Sequence, residues 1–331
     1  NGEELPPHIW SASTNLTNPN LIYKIHKQSI DKGVDYITTN TFRTTPRSFK
    51  KIGLSKQKAY DTAKESFDIA IDMAKKAASD KKIKILGSIA PLEDCYLPNL
   101  FPGEEKAKKE FEQLGYWFNE SGIDIFILET MNSIIETETC LQALQQFNIP
   151  IWVSYNLLNS KQIRSGEFLN DAIKILNQYS VECLLLNCNP FIRTIKGAEI
   201  IKDNWFKKWG VYPNIGIGEP SPDGIIENYH TDEEFLILID KTMKLGVNVI
   251  GGCCGSNFHH IDLKMIYQNL IINKNMWLQL EKMFHSNQIP HALLFHGPEG
   301  CGKEAHAIEL ASLLNYKTKS DLEKIKIFQQ N

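Results

Sequence analysis

Arginine is scarce: only Arg43, Arg47, Arg164 and Arg193 occur among 331 residues. Bidentate clamps for phosphate groups therefore have few candidates. Net charge is also small, with Lys+Arg 36 against Asp+Glu 39 and a formal balance of -3. A chain-wide basic field for nucleic acid or an anionic membrane is excluded. No apolar run approaches the roughly 20 residues that a membrane helix requires. Internal repeats and low-complexity tracts are missing as well. No signal-peptide pattern stands at the start, but the chain opens Asn1-Gly2-Glu3 without a Met, which leaves targeting open at that end. Cysteine is sparse and odd in number, seven in all, without the spacing of a small disulfide scaffold. Free thiols in a reducing, cytoplasmic compartment are the expectation.

What is present reads as α/β. Hydrophobic residues make up 42% of the chain, enough for a sizeable core. Short β-branched or apolar runs fall at residues 34–39, 83–89, 123–129, 151–155, 183–188, 209–212 and 247–251. Amphipathic stretches lie between them, such as 56–78 and 104–120. Near-continuous apolar strands joined by helices predict a parallel sheet covered on both faces. Seven such units recur at spacings typical of a (β/α)8 TIM barrel, with a doubly wound open sheet as the alternative. The strand ends carry the polar residues: Thr39-Asn40-Thr41, Gly87-Ser88, Glu129-Thr130, Asn187-Cys188 and Gly252-Cys253-Cys254-Gly255. In a barrel these ends converge on the face where active sites sit.

Cys253 and Cys254 are bracketed by glycines at the end of the last run, and Cys188 ends the fifth. Brought together by barrel closure, three thiolates would make a soft site for Zn²⁺ with a fourth position open. The competing reading is that cysteine is simply a common buried residue, which accounts for Cys95, Cys140 and Cys183. Spacing alone leaves both readings standing for the other three.

Several stretches, taken in order, resemble the homocysteine S-methyltransferase family: Ile9-Trp10-Ser11-Ala12, DYITTNTF at 35–42, GSIAP at 87–91, DIFILETM at 124–131, Ser165-Gly166-Glu167, NCNP at 187–190, YPNIG at 212–216 and GGCCGSNFHHI at 251–261. The resemblance covers about residues 1–272. It implies a (β/α)8 barrel whose Zn²⁺ is held by Cys188, Cys253 and Cys254. The implied partners are homocysteine and a small methyl donor, with no nucleic acid or membrane for the barrel. Glu129 would bind the substrate ammonium, Asn40 and Thr41 its carboxylate or backbone, and Trp10 would line the pocket. His259 and His260 are read as packing or capping residues. The methyl donor implied is S-methylmethionine or S-adenosylmethionine, and a variant would draw methyl from a separate corrinoid protein. The similar stretch begins after the family's first barrel strand, so seven strands and an absent pocket Asp are expected, which would leave the barrel catalytically inactive on one reading. Phe258 stands where relatives usually have Pro, and there is no room for the folate and cobalamin modules of the large methionine synthases.

Residues 273–331 read differently, as a short P-loop-like α/β fragment. An apolar run at 292–295 precedes Gly297-Pro298-Glu299-Gly300-Cys301-Gly302-Lys303 and a helical pattern at 305–314. Strand, glycine loop and helix suit phosphate binding through Gly297, Gly302 and Lys303. This stretch resembles the start of a clamp-loader delta-prime ATPase subunit. Glu304 replaces the usual Mg²⁺-holding Ser or Thr, which argues against hydrolysis. A nucleotide-binding fragment beside an inactive barrel is thus the second functional reading, and a join of two reading frames is the expected origin of the segment.

Overall fold

Alternation of apolar strands with capped helices gives this chain a parallel sheet. The computed structural model describes residues 6, 8–79, 82–217, 228–261 and 282–283. In chain order the elements are α1 (Ala12–Thr17), α2 (Pro19–Asp31), β1 (Tyr36–Thr38), α3 (Pro46–Lys51), α4 (Lys56–Ala78), β2 (Lys84–Ile89) and α5 (Glu104–Ser121). Then come β3 (Ile125–Met131), α6 (Ile134–Leu144), β4 (Ile151–Tyr155), α7 (Leu169–Leu176), β5 (Val181–Asn187), α8 (Phe191–Asn204), β6 (Lys208–Tyr212), α9 (Asp232–Leu245) and β7 (Val249–Ile250). All seven expected runs form strands, and the helix expected at 56–78 is α4. None of the helices among the described residues is long and apolar enough to cross a membrane.

The strands pair in the order β1-β2-β3-β4-β5-β6-β7, each parallel to the next. A doubly wound sheet reverses its strand order at a switch point, and this one does not. Sequential order with intervening helices is the TIM-barrel-like arrangement. Among the described residues the sheet has seven strands, and β1 is not paired with β7.

The chain divides into two units. The first comprises residues 1–230 and 241–258 and holds the seven strands of the described residues; the second comprises 231–240 and 259–331. The boundary expected at 272/273, and the glycine loop beyond it, lie outside the described residues.

Two apolar layers pin the first unit's sheet. The larger lies under the helices and includes Phe67, Phe111, Phe118, Phe126, Val153, Leu184 and Val211. In α4, Ala59, Ala63, Phe67, Ala70, Ile71 and Ala74 recur at helical spacing and are all buried, an apolar stripe of alanines around Phe67 and Ile71. Its N-terminus is capped by Ser55, whose side chain accepts from Lys58 N–H. Phe118 of α5 meets Phe67 and Phe126 edge-on at centroid distances of 4.7 and 5.9 Å. Gly122, at φ 64, ends α5 in the left-handed conformation that favours glycine. The smaller layer is Leu86, Ile125, Ile127, Trp152, Cys183 and Leu185, contributed by alternate residues of β2 to β5 on the opposite, inner face.

Candidate metal and substrate site

Period-two alternation carries the inner layer up to the site. Two residues beyond Leu86 is Ser88, beyond Ile127 is Glu129, beyond Trp152 is Ser154, and beyond Leu185 is Asn187. The inner face is thus apolar at mid-strand and polar at the carboxyl ends.

Cys188 follows β5 directly, and Cys253 and Cys254 sit in the turn after β7. Their sulfur atoms all lie within 4.8 Å of one another. Cys188 Sγ is 2.6 Å from Cys253 Sγ and 3.2 Å from Cys254 Sγ. Main-chain bonds from the loop after β6 draw the two segments together. Cys253 N–H donates to Pro213 O at 2.8 Å, Ile215 N–H donates to Cys254 O at 2.9 Å, and Cys188 N–H donates to Tyr212 O at 3.1 Å. Asn156 and Asn214 donate their side-chain amides to Cys188 O, at 3.0 and 3.3 Å. Cys188 itself is at φ 54, a conformation rare for a non-glycine residue.

The donor set fits a soft metal ion. Sulfurs bound tetrahedrally at about 2.3 Å lie about 3.8 Å apart, so Cys253 and Cys254 would stand roughly 1.2 and 0.6 Å further from Cys188, a change within reach of side-chain rotation. Hydrogen bonds from Cys188 and then Cys253 push the Cys254 thiol well down, and the bonds of Cys253 to the other two thiols push it up. Of the other cysteines, Cys95, Cys140 and Cys183 are buried and apart from this cluster's ligand set.

Glu129 lies on the same rim. Ser88 Oγ donates to Glu129 Oε2 at 2.5 Å. Burial raises the Glu129 carboxyl above the usual range, the Ser88 and Tyr212 hydroxyls partly counter this, and nearby Cys254 adds to the rise. A cationic ligand group would reverse that shift. The strand is irregular here: register with β4 shifts between Leu128 and Met131, and Thr130 is at φ 56. Such a bulge re-aims a side chain, in this case Glu129.

The other expected substrate residues are engaged within the protein. Asn40 donates to Ser11 O and Asn15 Oδ1, both at 2.8 Å, and accepts from Ser11 Oγ at 2.6 Å. Thr41 is buried, and its hydroxyl donates to Ser88 O at 2.8 Å. Both join the end of β1 to its neighbours. Trp10 stacks on Phe42 at 5.8 Å, with the Arg43 guanidinium 5.0 Å from its ring centre. In the second unit, His259 Nε2 lies 2.7 Å from Asp232 Oδ2 and His260 packs edge-on against Phe235. Ser154, Asn156, Asn214 and Tyr212 were not singled out from the sequence. Strand alternation was the available signal for Ser154 and Tyr212, whereas the two asparagines act on a backbone carbonyl and left none.

Comparisons with known proteins agree with this geometry. Residues 2–264 match the family model described as homocysteine S-methyltransferase. Homocysteine S-methyltransferase 2 of Arabidopsis thaliana is 26% identical, over 83% of this chain and 90% of its own length. Selenocysteine Se-methyltransferase of Brassica oleracea var. italica is 27% identical, over 86% and 89%. The solved metallated form of homocysteine methyltransferase MmuM from Escherichia coli shares the fold at TM-score 0.68 and 22% identity, covering 80% of this chain and 90% of that one. Fold, rim chemistry and sequence thus converge, and the chain belongs to the homocysteine S-methyltransferase family of methyltransferases.

Proposed function

We propose that this protein transfers a methyl group from an activated donor to the sulfur of homocysteine, giving methionine, with Zn²⁺ held by Cys188, Cys253 and Cys254. The observation that carries the reading is the meeting of three thiols within 4.8 Å at the carboxyl rim of the sheet, in a chain of this family. The solved relative named above is described as a metallated form, which supports a metal in a protein of this family. Zn²⁺ bound there supplies Lewis acidity that keeps a substrate thiol ionised at neutral pH.

The protein's own residues do the positioning. Glu129 offers a carboxylate to the homocysteine ammonium, a charge-assisted bond in a partly desolvated setting. Ser88 fixes the rotamer of that carboxylate through its short hydrogen bond. Asn156 and Asn214 hold the peptide that carries Cys188. The substrate sulfur then attacks the donor methyl carbon in line, a carbon–sulfur bond forming as the sulfonium's own breaks. The departing group is a neutral thioether, so no proton has to be delivered to it. S-methylmethionine and S-adenosylmethionine are the favoured donors, and a corrinoid protein is the alternative source of methyl.

Metal analysis beside an activity assay tests the proposal. One zinc per chain, lost in Cys254→Ser together with methionine formation, is the expected result. A wild-type chain that holds no zinc after exposure to it would sink the metal assignment. Supplying each donor in turn with homocysteine identifies the methyl source.

A further inference from the structure

Glu129 and Cys188 stand at the ends of two strands that are not neighbours, β3 and β5, and a single side chain spans the gap. Asn187 is 1% exposed. Its Oδ1 accepts from Thr130 N–H at 3.0 Å and from Ser154 Oγ at 2.7 Å, and its Nδ2 donates to Thr130 Oγ1 at 2.8 Å. Because a peptide N–H can only donate, the bond from Thr130 N–H fixes which way the amide faces. Its NH₂ group must then meet the Thr130 hydroxyl. We infer that Asn187 is a positioning residue that sets the spacing between the Glu129 carboxylate and the Cys188 thiol, and through it the length of thiol amino acid the site accepts.

Two further observations carry this. Thr130 and Cys188 are both non-glycine residues at left-handed φ, 56 and 54. Such conformations persist only where the surroundings hold them. Asn187 bonds the N–H and the hydroxyl of Thr130, while Asn156, Asn214 and the Tyr212 carbonyl hold Cys188, the residue that follows it. The second is the register shift between Leu128 and Met131, which makes the seat of Glu129 a bulge. Without the amide clamp the bulge is free to relax toward regular pairing, and Glu129 moves relative to the thiols. Homocysteine bridges an ammonium and a sulfur at one fixed length, and cysteine is one methylene shorter. A rigid spacing separates them, whereas a slack one does not. Discrimination by a single methylene is worth roughly 10–200-fold.

The inference rests on the proposed function, so its experiment reads binding rather than turnover. Protein loaded with Co²⁺ is titrated with homocysteine and with cysteine, following the thiolate-to-metal absorption. The wild type is expected to prefer homocysteine at least tenfold. In Asn187→Ala this preference falls to within a few fold, and Co²⁺ affinity drops about tenfold, as removal of a ligand-orienting partner does. Thr130→Val removes only the bond to Oγ1 and is expected to shift the preference in the same direction by less; it keeps the test alive if Asn187→Ala fails to fold. A preference ratio equal to wild type in a folded variant overturns the inference, even if both thiols bind more weakly. Binding of both thiols without any methyl transfer overturns the proposed reaction instead, and the ratio still judges Asn187.

Discussion

A carboxylate that has lost its water is only as useful as the cation it awaits. Glu129 is part of the way there: it is half-buried, desolvation raises its carboxyl, and the two hydroxyls around it recover part of the loss. Removing its charge while keeping its shape isolates that role. Glu129→Gln is expected to raise KM for homocysteine by about 10- to 100-fold, since a charge-assisted hydrogen bond is worth about 1.5–3 kcal/mol, with metal content unchanged. Steady-state kinetics beside metal analysis checks both halves. His26, in α2, is a second residue whose charge the fold resists. It is buried, its Nε2 has no hydrogen-bond partner among the described residues, and burial lowers its pKa from 6.5 to about 4. A lowered folded-state pKa means stability that is present above about 6.5 and lost as pH falls toward 4. The loss is about 3 kcal/mol at one pKa unit per 1.36 kcal/mol. Urea melts of His26→Leu at pH 7 and pH 4 should show that much less acid destabilisation than wild type.

Among the elements, β7 has the least to hold it. It is two residues long and pairs with β6 through Gly210↔Val249 and Val211↔Ile250. A Cβ on Gly210 would lie 2.4 Å from Val249 O and 2.6 Å from Val249 Cβ, so only glycine permits this approach. Gly210→Ala is expected to destabilise the fold by about 1–3 kcal/mol, the usual cost of overpacking. Because β7 leads into Cys253 and Cys254, the same variant should also bind metal more weakly than wild type, which a chelator competition reads. Element type was easy to read from sequence here because apolar runs of four to seven residues between long amphipathic stretches leave little choice. The ends were harder. β3 runs on to Met131, past the Glu129 at which its apolar run stops, because hydrogen bonding continues through the bulge. The thiols were legible as a group through the resemblance of the NCNP and GGCCG stretches to the family, since spacing alone left simple burial as an equal reading. Asn187 as a clamp was not, since its meaning depends on the left-handed turn at Thr130, and nothing in a Thr predicts positive φ.

For the molecule as a whole, the ligand set spans widely separated sequence. Cys188 and Cys253 are 65 residues apart, so a metal ion bound by both closes a long stretch of chain. An ion that binds only the folded form stabilises it by mass action, about 2.7 kcal/mol at one hundred times its dissociation constant. Adding Zn²⁺ should therefore raise Tm in wild type and leave Cys254→Ser unmoved in the same scan. Strand order was readable only as two alternatives, barrel or doubly wound sheet, because periodicity reports which faces are buried and not which strands are neighbours. The pairing of each strand with the next decides it.

The main-chain bonds from Pro213 and Ile215 to the two adjacent cysteines have a consequence for how the gene can change. Both bonds are made by backbone atoms, so the side chains at 213 and 215 are not what the cysteines depend on. Length is another matter. One residue inserted or deleted between Tyr212 and Ile215 would shift the carbonyl that receives Cys253 and the amide that binds Cys254 in a single event. Asn214 apart, whose side chain holds the Cys188 carbonyl, side-chain changes here leave those two bonds in place, whereas a change of reading length breaks both, so a stretch with no metal ligand of its own cannot freely gain or lose a codon.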